Sequence, residues 1–161
     1  MQVELKENSL APSFKLPSSR EHDVSLEDFR GKNLVLYFYP KDSTPGCTIE
    51  ANQFSNKVNE FESFNTVILG VSKDSIKSHK NFIEKQAIKF ELLSDINGEL
   101  CEKYGVWKEK SMYGKKYMGI ERSTFLINGD GLIKKLWYKV SVSGHVDDVL
   151  QEAEKLFSSE T

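Results

Sequence analysis

Two cysteines and three histidines are the side chains of this 161-residue chain most suited to nucleophilic or metal chemistry. Cys47 stands in the string Pro40-Lys41-Asp42-Ser43-Thr44-Pro45-Gly46-Cys47-Thr48-Ile49-Glu50. An apolar, β-forming run ends at Pro40, and a helical pattern opens at the cysteine itself. A thiol in that place faces backbone N–H groups without partners and the positive end of a helix dipole, and both stabilise negative charge on sulfur. It also lies at the C-terminal edge of the predicted sheet, where open α/β folds bind ligands. The chemistry indicated is nucleophilic or redox. A buried structural cysteine is the other common fate of this residue, but the sequence neighbours of Cys47 are Thr, Pro, Gly and Glu rather than apolar groups. Neither cysteine has a Cys or His at ligand spacing, so no metal site is expected, and His22, His79 and His145 read as scattered surface residues. Cys47-Thr48-Ile49-Glu50 lacks the second cysteine of a disulfide-exchange pair. No Walker or dinucleotide-type glycine pattern is present, so no organic cofactor is implied.

The elements that must hold Cys47 follow from hydrophobic spacing. Asn33 to Pro40 is apolar almost throughout and predicts a strand buried on both faces. Ala51, Phe54, Val58 and Phe61 predict one helix from about Cys47 to Glu62. Thr66 to Val71 predicts a second strand, and strand, helix and strand form a right-handed βαβ unit with parallel strands. Asp74 stands at a helix N-cap position, before Ile76, Lys80, Ile83 and Ala87 on the predicted inner face. Gly98 to Tyr104, which contains Cys101, predicts a short helix packed on the sheet.

Asn128-Gly129-Asp130-Gly131 separates two further strand-like runs and predicts an antiparallel hairpin. A closing amphipathic helix carries Val146, Val149, Leu150, Ala153 and Phe157. Residues 1 to 33 predict an irregular or hairpin-like opening, and Lys108 to Met118 a solvated, lysine- and tyrosine-containing loop. A βαβ half followed by a ββα half is the order of a thioredoxin-like fold. The expectation is therefore an α/β chain in one domain, residues 1–161, with a central mixed β-sheet flanked by helices and an N-terminal hairpin extension.

Composition narrows the function classes. Lys plus Arg number 22 against 24 Asp plus Glu, for a formal net charge of −2, so bulk charge gives no case for nucleic acid or an anionic membrane. The N-terminus, Met1 to Glu7, is charged from its fourth residue and does not read as a signal peptide. The longest apolar run, Leu34 to Tyr39, falls far short of the roughly 20 residues of a membrane span. A cytoplasmic protein is expected, in which two cysteines are free or catalytic rather than bridged.

With these residues in view, the chain resembles the peroxiredoxins, and within them the bacterioferritin comigratory protein, or Q-type, branch. The pattern Pro-x-x-x-Thr-x-x-Cys is met by Pro40, Thr44 and Cys47, and further matches are Leu93-Ser94-Asp95, Tyr104-Gly105-Val106-Trp107 and Gly119 to Ile127. The resemblance implies a thiol-dependent peroxidase for hydrogen peroxide and small organic hydroperoxides. Cys47 would be oxidised to a sulfenic acid. Thr44 would hydrogen-bond the reacting oxygens, Pro40 would shield the sulfur from water, and Arg122 would stabilise the developing negative charge. Glu50 would hold the Arg122 guanidinium, or serve only as an acidic residue in a first helical turn.

The branch often has a resolving cysteine five residues after the first, where this chain has Asn52, or on the next helix, where Ser75 to Gln86 contains none. Cys101 remains, either as a structural thiol or as a distant resolving partner needing Cα atoms within about 7 Å. The reading is a one-cysteine cycle completed by an external thiol such as thioredoxin, and the branch implies a monomer. The alternative is a peroxide-responsive redox sensor or binding module that uses the same thiol without efficient turnover.

Overall fold

In the computed structural model, which describes residues 5–160, the chain opens with a small antiparallel hairpin of β1 (Lys15–Pro17) and β2 (Asp23–Ser25). This is the expected N-terminal extension; residues 1–4, and so most of the charged N-terminal stretch, lie outside the described residues. β3 (Asn33–Phe38) follows, with every residue buried, as its unbroken apolar sequence requires. The elements after it are α1 (Pro45–Asn56), α2 (Val58–Ser63), β4 (Thr66–Ser72), α3 (Ile76–Gln86), β5 (Glu91–Ser94) and α4 (Glu99–Lys103). The chain then runs through β6 (Trp107–Met112), β7 (Lys115–Ile120), β8 (Ser123–Ile127), β9 (Ile133–Trp137) and α5 (His145–Ser159).

The central sheet has the order β5-β4-β3-β8-β9, with β3, β4 and β5 parallel and β8 and β9 antiparallel to their neighbours. It is the mixed sheet of a thioredoxin-like fold. Side chains alternate across a strand, so β3 feeds two cores. Leu34, Leu36 and Phe38 join one with Val71, Leu93, Cys101, Tyr104 and Phe125. Val35, Tyr37 and Tyr39 join the other with Cys47, Ala51, Phe54, Phe61, Phe82 and Val149. The two cysteines therefore lie on opposite faces of the sheet. Among the described residues no helix is long and apolar enough to cross a membrane.

Five sequence expectations change. The helix predicted from Cys47 to Glu62 is two helices, broken at Lys57, whose N–H turns back to the Phe54 carbonyl. Ala51 and Phe54 before the break and Phe61 after it stay buried in the same core, so apolar spacing alone cannot reveal it. Ser75, not Asp74, caps α3, accepting from Ser78 N at 3.1 Å. The buried face of α3 is His79 and Phe82, while Lys80 turns outward to Glu21 and Ala87 closes the helix in a left-handed conformation. Lys108 to Met118 is no loop but the β6–β7 ribbon, turned at Tyr113 (φ 52°) and Gly114 (φ 78°). Finally, His79 and His145 are buried rather than on the surface.

Candidate active site

The sulfur is placed by the passage from β3 into α1. Thr44 is the N-cap residue, with extended backbone, and Pro45 occupies a first-turn position where its missing N–H costs nothing. Cys47 is the third residue of the helix. Between them the chain is folded back on itself: Thr44 Oγ1 donates to the Lys41 carbonyl at 2.8 Å, and Ser43 adopts a positive φ of 64°. Cys47 is 1% exposed. Its sequence neighbours are polar, yet its side chain faces the aromatic core beneath α1. Pro40 and Thr44 are both half-buried at the edge of this turn.

Arg122 comes from the other half of the chain. It lies in the link from β7 to β8, and the register of β8 against β3, with Ser123 opposite Phe38, sets that link beside the end of β3. Two backbone hydrogen bonds fix the link, from Glu121 N to the Val106 carbonyl at 2.7 Å and from Val140 N to the Arg122 carbonyl at 2.9 Å. The guanidinium then spans two partners: Nη1 donates to Glu50 Oε1 at 2.6 Å, and Nη2 donates to Cys47 Sγ at 3.4 Å. Gly46 leaves room for this approach: a Cβ there would lie 3.1 Å from Arg122 Nη2 and press on the guanidinium.

The charges are strongly perturbed. Burial pushes the Glu50 carboxyl up to about 7, although Arg122 pulls it down. Burial acts against the charge of Arg122, but Glu50 and Cys47 outweigh it and its pKa is raised. Glu50 Oε2 and the Tyr37 hydroxyl are buried without hydrogen-bond partners. Burial, then the charges of Glu50 and Cys47, hold the Tyr37 hydroxyl well above its ordinary range.

Cys47, Arg122 and Glu50 are thus in direct contact, with Thr44 in the same turn and Pro40 at its edge. Cys101 is not part of this group. It is fully buried in α4, its backbone N–H bonds Asp95 Oδ2 at 2.9 Å, and burial with Asp95 beside it pushes the thiol far up. Among the described residues both cysteines are free. The sequence alone assigns Gly46 no role at the site. Its place immediately before Cys47 in a first helical turn is the available signal. Asp42 and His79, buried together beside the loop, gave no signal in spacing. Chemically, the arrangement sets the Cys47 sulfur against a fixed cation in a water-poor place. Negative charge leaving the sulfur for a departing oxygen would stay next to that cation.

The model of the AhpC/TSA family matches residues 8–136. Peroxiredoxin Bcp of Bacillus subtilis is 49% identical over 141 residues, covering 88% of this chain and 90% of that protein. The solved structure of Xanthomonas campestris Peroxiredoxin Q superposes with a TM-score of 0.86 at 47% identity, covering 89% of this chain and 91% of that one. A structure of the Xanthomonas campestris bacterioferritin comigratory protein, described for its alkyl peroxide reduction activity, gives a TM-score of 0.85 at 46% identity and covers 89% of this chain and 92% of that one.

Proposed function

The chain belongs to the AhpC/TSA family as a peroxiredoxin of the Bcp, or Q, type and is a thiol-dependent peroxidase, and on that premise we propose that Cys47 is its peroxidatic cysteine. The observation that carries this reading is the guanidinium of Arg122, 3.4 Å from Cys47 Sγ and held at 2.6 Å by Glu50. The Cys47 thiolate attacks the terminal oxygen of a hydroperoxide. An S–O bond forms as the O–O bond breaks, the sulfur is oxidised to a sulfenic acid that keeps the hydroxyl, and the other oxygen leaves as an alkoxide or hydroxide that takes up a proton. Arg122 stabilises the charge that builds on the leaving oxygen. Thr44 accepts a hydrogen bond from the peroxide; because its own proton is committed to the Lys41 carbonyl, its oxygen is oriented to accept. Pro40 shields the sulfur from bulk water, and Glu50 positions Arg122.

The substrates are hydrogen peroxide and small organic hydroperoxides. Alkyl peroxide reduction by the Xanthomonas relative supports the second class. The cycle is of one-cysteine type. An external thiol, from thioredoxin or a similar reductant, attacks the sulfenic acid, releasing water and leaving a mixed disulfide. A second thiol then restores Cys47 and carries away the disulfide. Cys47 is so enclosed that the reductant reaches it only when the first turn of α1 opens.

Intact mass spectrometry after one equivalent of hydrogen peroxide tests the reading. The wild type and Cys101→Ser should each gain one oxygen, trappable by dimedone, and Cys47→Ser should gain none. A loss of two hydrogens that vanishes in Cys101→Ser would overturn the one-cysteine cycle, and no mass change at all would overturn the peroxidatic assignment. Fast oxidation with slow recycling by every thiol reductant would instead favour the redox sensor.

A further inference from the structure

The loop that carries the reacting residues has little apolar anchorage. Between Tyr39 and Cys47 the sequence is Pro-Lys-Asp-Ser-Thr-Pro-Gly, and the one buried residue in it is the acid, Asp42, 5% exposed. A carboxylate is the least expected residue at such a place, since an unpaired buried charge is costly. Its surroundings supply the compensation. Tyr39 O–H donates to Asp42 Oδ1 at 2.6 Å, and Ser78 O–H donates to Oδ2 at 2.8 Å. His79 Nδ1 lies 2.7 Å from the same Oδ2, and His79 is completely buried.

The other ring nitrogen decides the charge of the histidine. His79 Nε2 lies 2.9 Å from the backbone carbonyl of Leu93, which can only accept, so Nε2 carries a proton. The Tyr39 hydroxyl lies 3.4 Å from Nδ1 but donates at the shorter 2.6 Å to Asp42, which accepts at both oxygens, so Nδ1 donates to Asp42 as well. A ring that donates at both nitrogens is an imidazolium. Burial holds the Tyr39 hydroxyl well above its ordinary range, in keeping with its role as donor. The backbone N–H of Asp42 donates to Asp74 Oδ2 at 2.8 Å, and Ser72 O–H donates to the same oxygen at 2.6 Å. Asp42, Asp74 and His79 lie close enough together to hold a cation, but both ring nitrogens and both Asp42 oxygens are already spent on protein partners.

We infer that Asp42 and His79 form a buried carboxylate–imidazolium pair that clamps the loop from Pro40 to Cys47 onto α3 and β5, and that both are positioning residues for Thr44 and Cys47. The inference of a positioning role rests on Cys47 being the peroxidatic cysteine; the charge of the pair does not. The geometry gives the link directly. Asp42 follows Lys41, whose carbonyl receives the Thr44 hydroxyl, so the clamp fixes the acceptor that orients Thr44. Neither residue touches Cys47, so each acts through the loop.

Two measurements separate this inference from the peroxidase reading. At about neutral pH, long-range proton–nitrogen correlations of the histidine rings should show protons on both Nδ1 and Nε2 of His79, the signals being assigned by their absence in His79→Gln. A ring with one proton overturns the ion pair whether or not the protein reduces peroxide. In stopped flow, His79→Gln and Asp42→Asn should each slow Cys47 oxidation by hydrogen peroxide about tenfold or more, because the reaction needs Thr44 in place. Alkylation of Cys47 by iodoacetamide, which makes no use of Thr44, should change less than about threefold. Equal losses in both reactions, or a peroxide rate within about twofold of wild type in either folded variant, overturn the positioning role. Should one variant fail to fold by circular dichroism, the other variant and the wild-type ring spectrum still decide. A wild type that does not react with peroxide would refute the peroxidase reading and leave the ring spectrum as the judge of the pair.

Discussion

At the scale of residues, the site is a contest between burial and charge around one guanidinium. Gly46 shows how little room there is. Alanine at this helical position would favour the helix by up to about 1 kcal/mol, yet its Cβ would meet Arg122 Nη2 at 3.1 Å, where Glu50 and Cys47 already hold the group from two sides. Gly46→Ala should therefore keep or raise the melting temperature while slowing the peroxide reaction about tenfold, equivalent to about 1.4 kcal/mol in the barrier. Equal rates in stopped flow would show that the guanidinium shifts without consequence.

Glu50 offers a second test. Its pKa is about 7 in the fold against an ordinary 4.5, so the folded state holds this proton more tightly than the unfolded chain does. The stability it contributes is complete below about pH 4.5 and is lost as the pH rises through about 7. Glu50→Gln has no such proton. Relative to the wild type it should gain stability between about pH 5 and pH 8. Denaturant midpoints at the two values check this, and an unchanged difference would refute it.

At the scale of elements, β3 and β4 do the placing. Tyr37 pairs in register with Gly70, and its ring stacks on Phe54 of α1 with centroids 4.6 Å apart. A Cβ at Gly70 would lie 2.7 Å from Leu92 Cδ2 and 3.0 Å from Tyr37 Cζ. The absent side chain is what lets Tyr37 lie flat beneath the helix that carries the sulfur. Gly70→Ala should cost about 1–3 kcal/mol by overpacking, seen as a lower denaturant midpoint with an unchanged slope. An unchanged midpoint would mean that Leu92 and Tyr37 repack freely. β3, β4, β8, β9 and the closing helix are legible in sequence because apolar period and turn residues agree over their lengths, whereas β5, at four residues, is too short to show a period. The break at Lys57 was not legible, because it preserves the buried face. The β6–β7 ribbon was missed because most of its residues are exposed, so no apolar alternation marks it. Its turn at Tyr113-Gly114 was the one local cue.

At the scale of the whole molecule, the sheet lies between the two thiols. Cys101 belongs to the core under α4 and Cys47 to the core under α1. In the folded protein Cys101 should resist alkylation until global unfolding, whereas a Cys101→Ser chain should keep turnover with external thiols. The serine hydroxyl, buried where the thiol was, should cost about 1–3 kcal/mol. Alkylation of Cys101 at the rate of Cys47 would show instead that α4 opens locally.

The sequence by itself determined the βαβ and ββα order, the place of Cys47 at the start of a helix, and the lack of a cysteine at Asn52 or between Ser75 and Gln86. These are matters of local spacing, which a linear chain displays. Only the tertiary structure decided that Arg122 reaches Cys47 across the β3–β8 register, that a side chain at Gly46 would crowd the guanidinium, and that His79 is buried against Asp42 rather than exposed. It also decided that Cys101 is walled off from Cys47. Each of these depends on which strand lies beside which and on which face a side chain emerges, and those relations arise only when distant segments pack together.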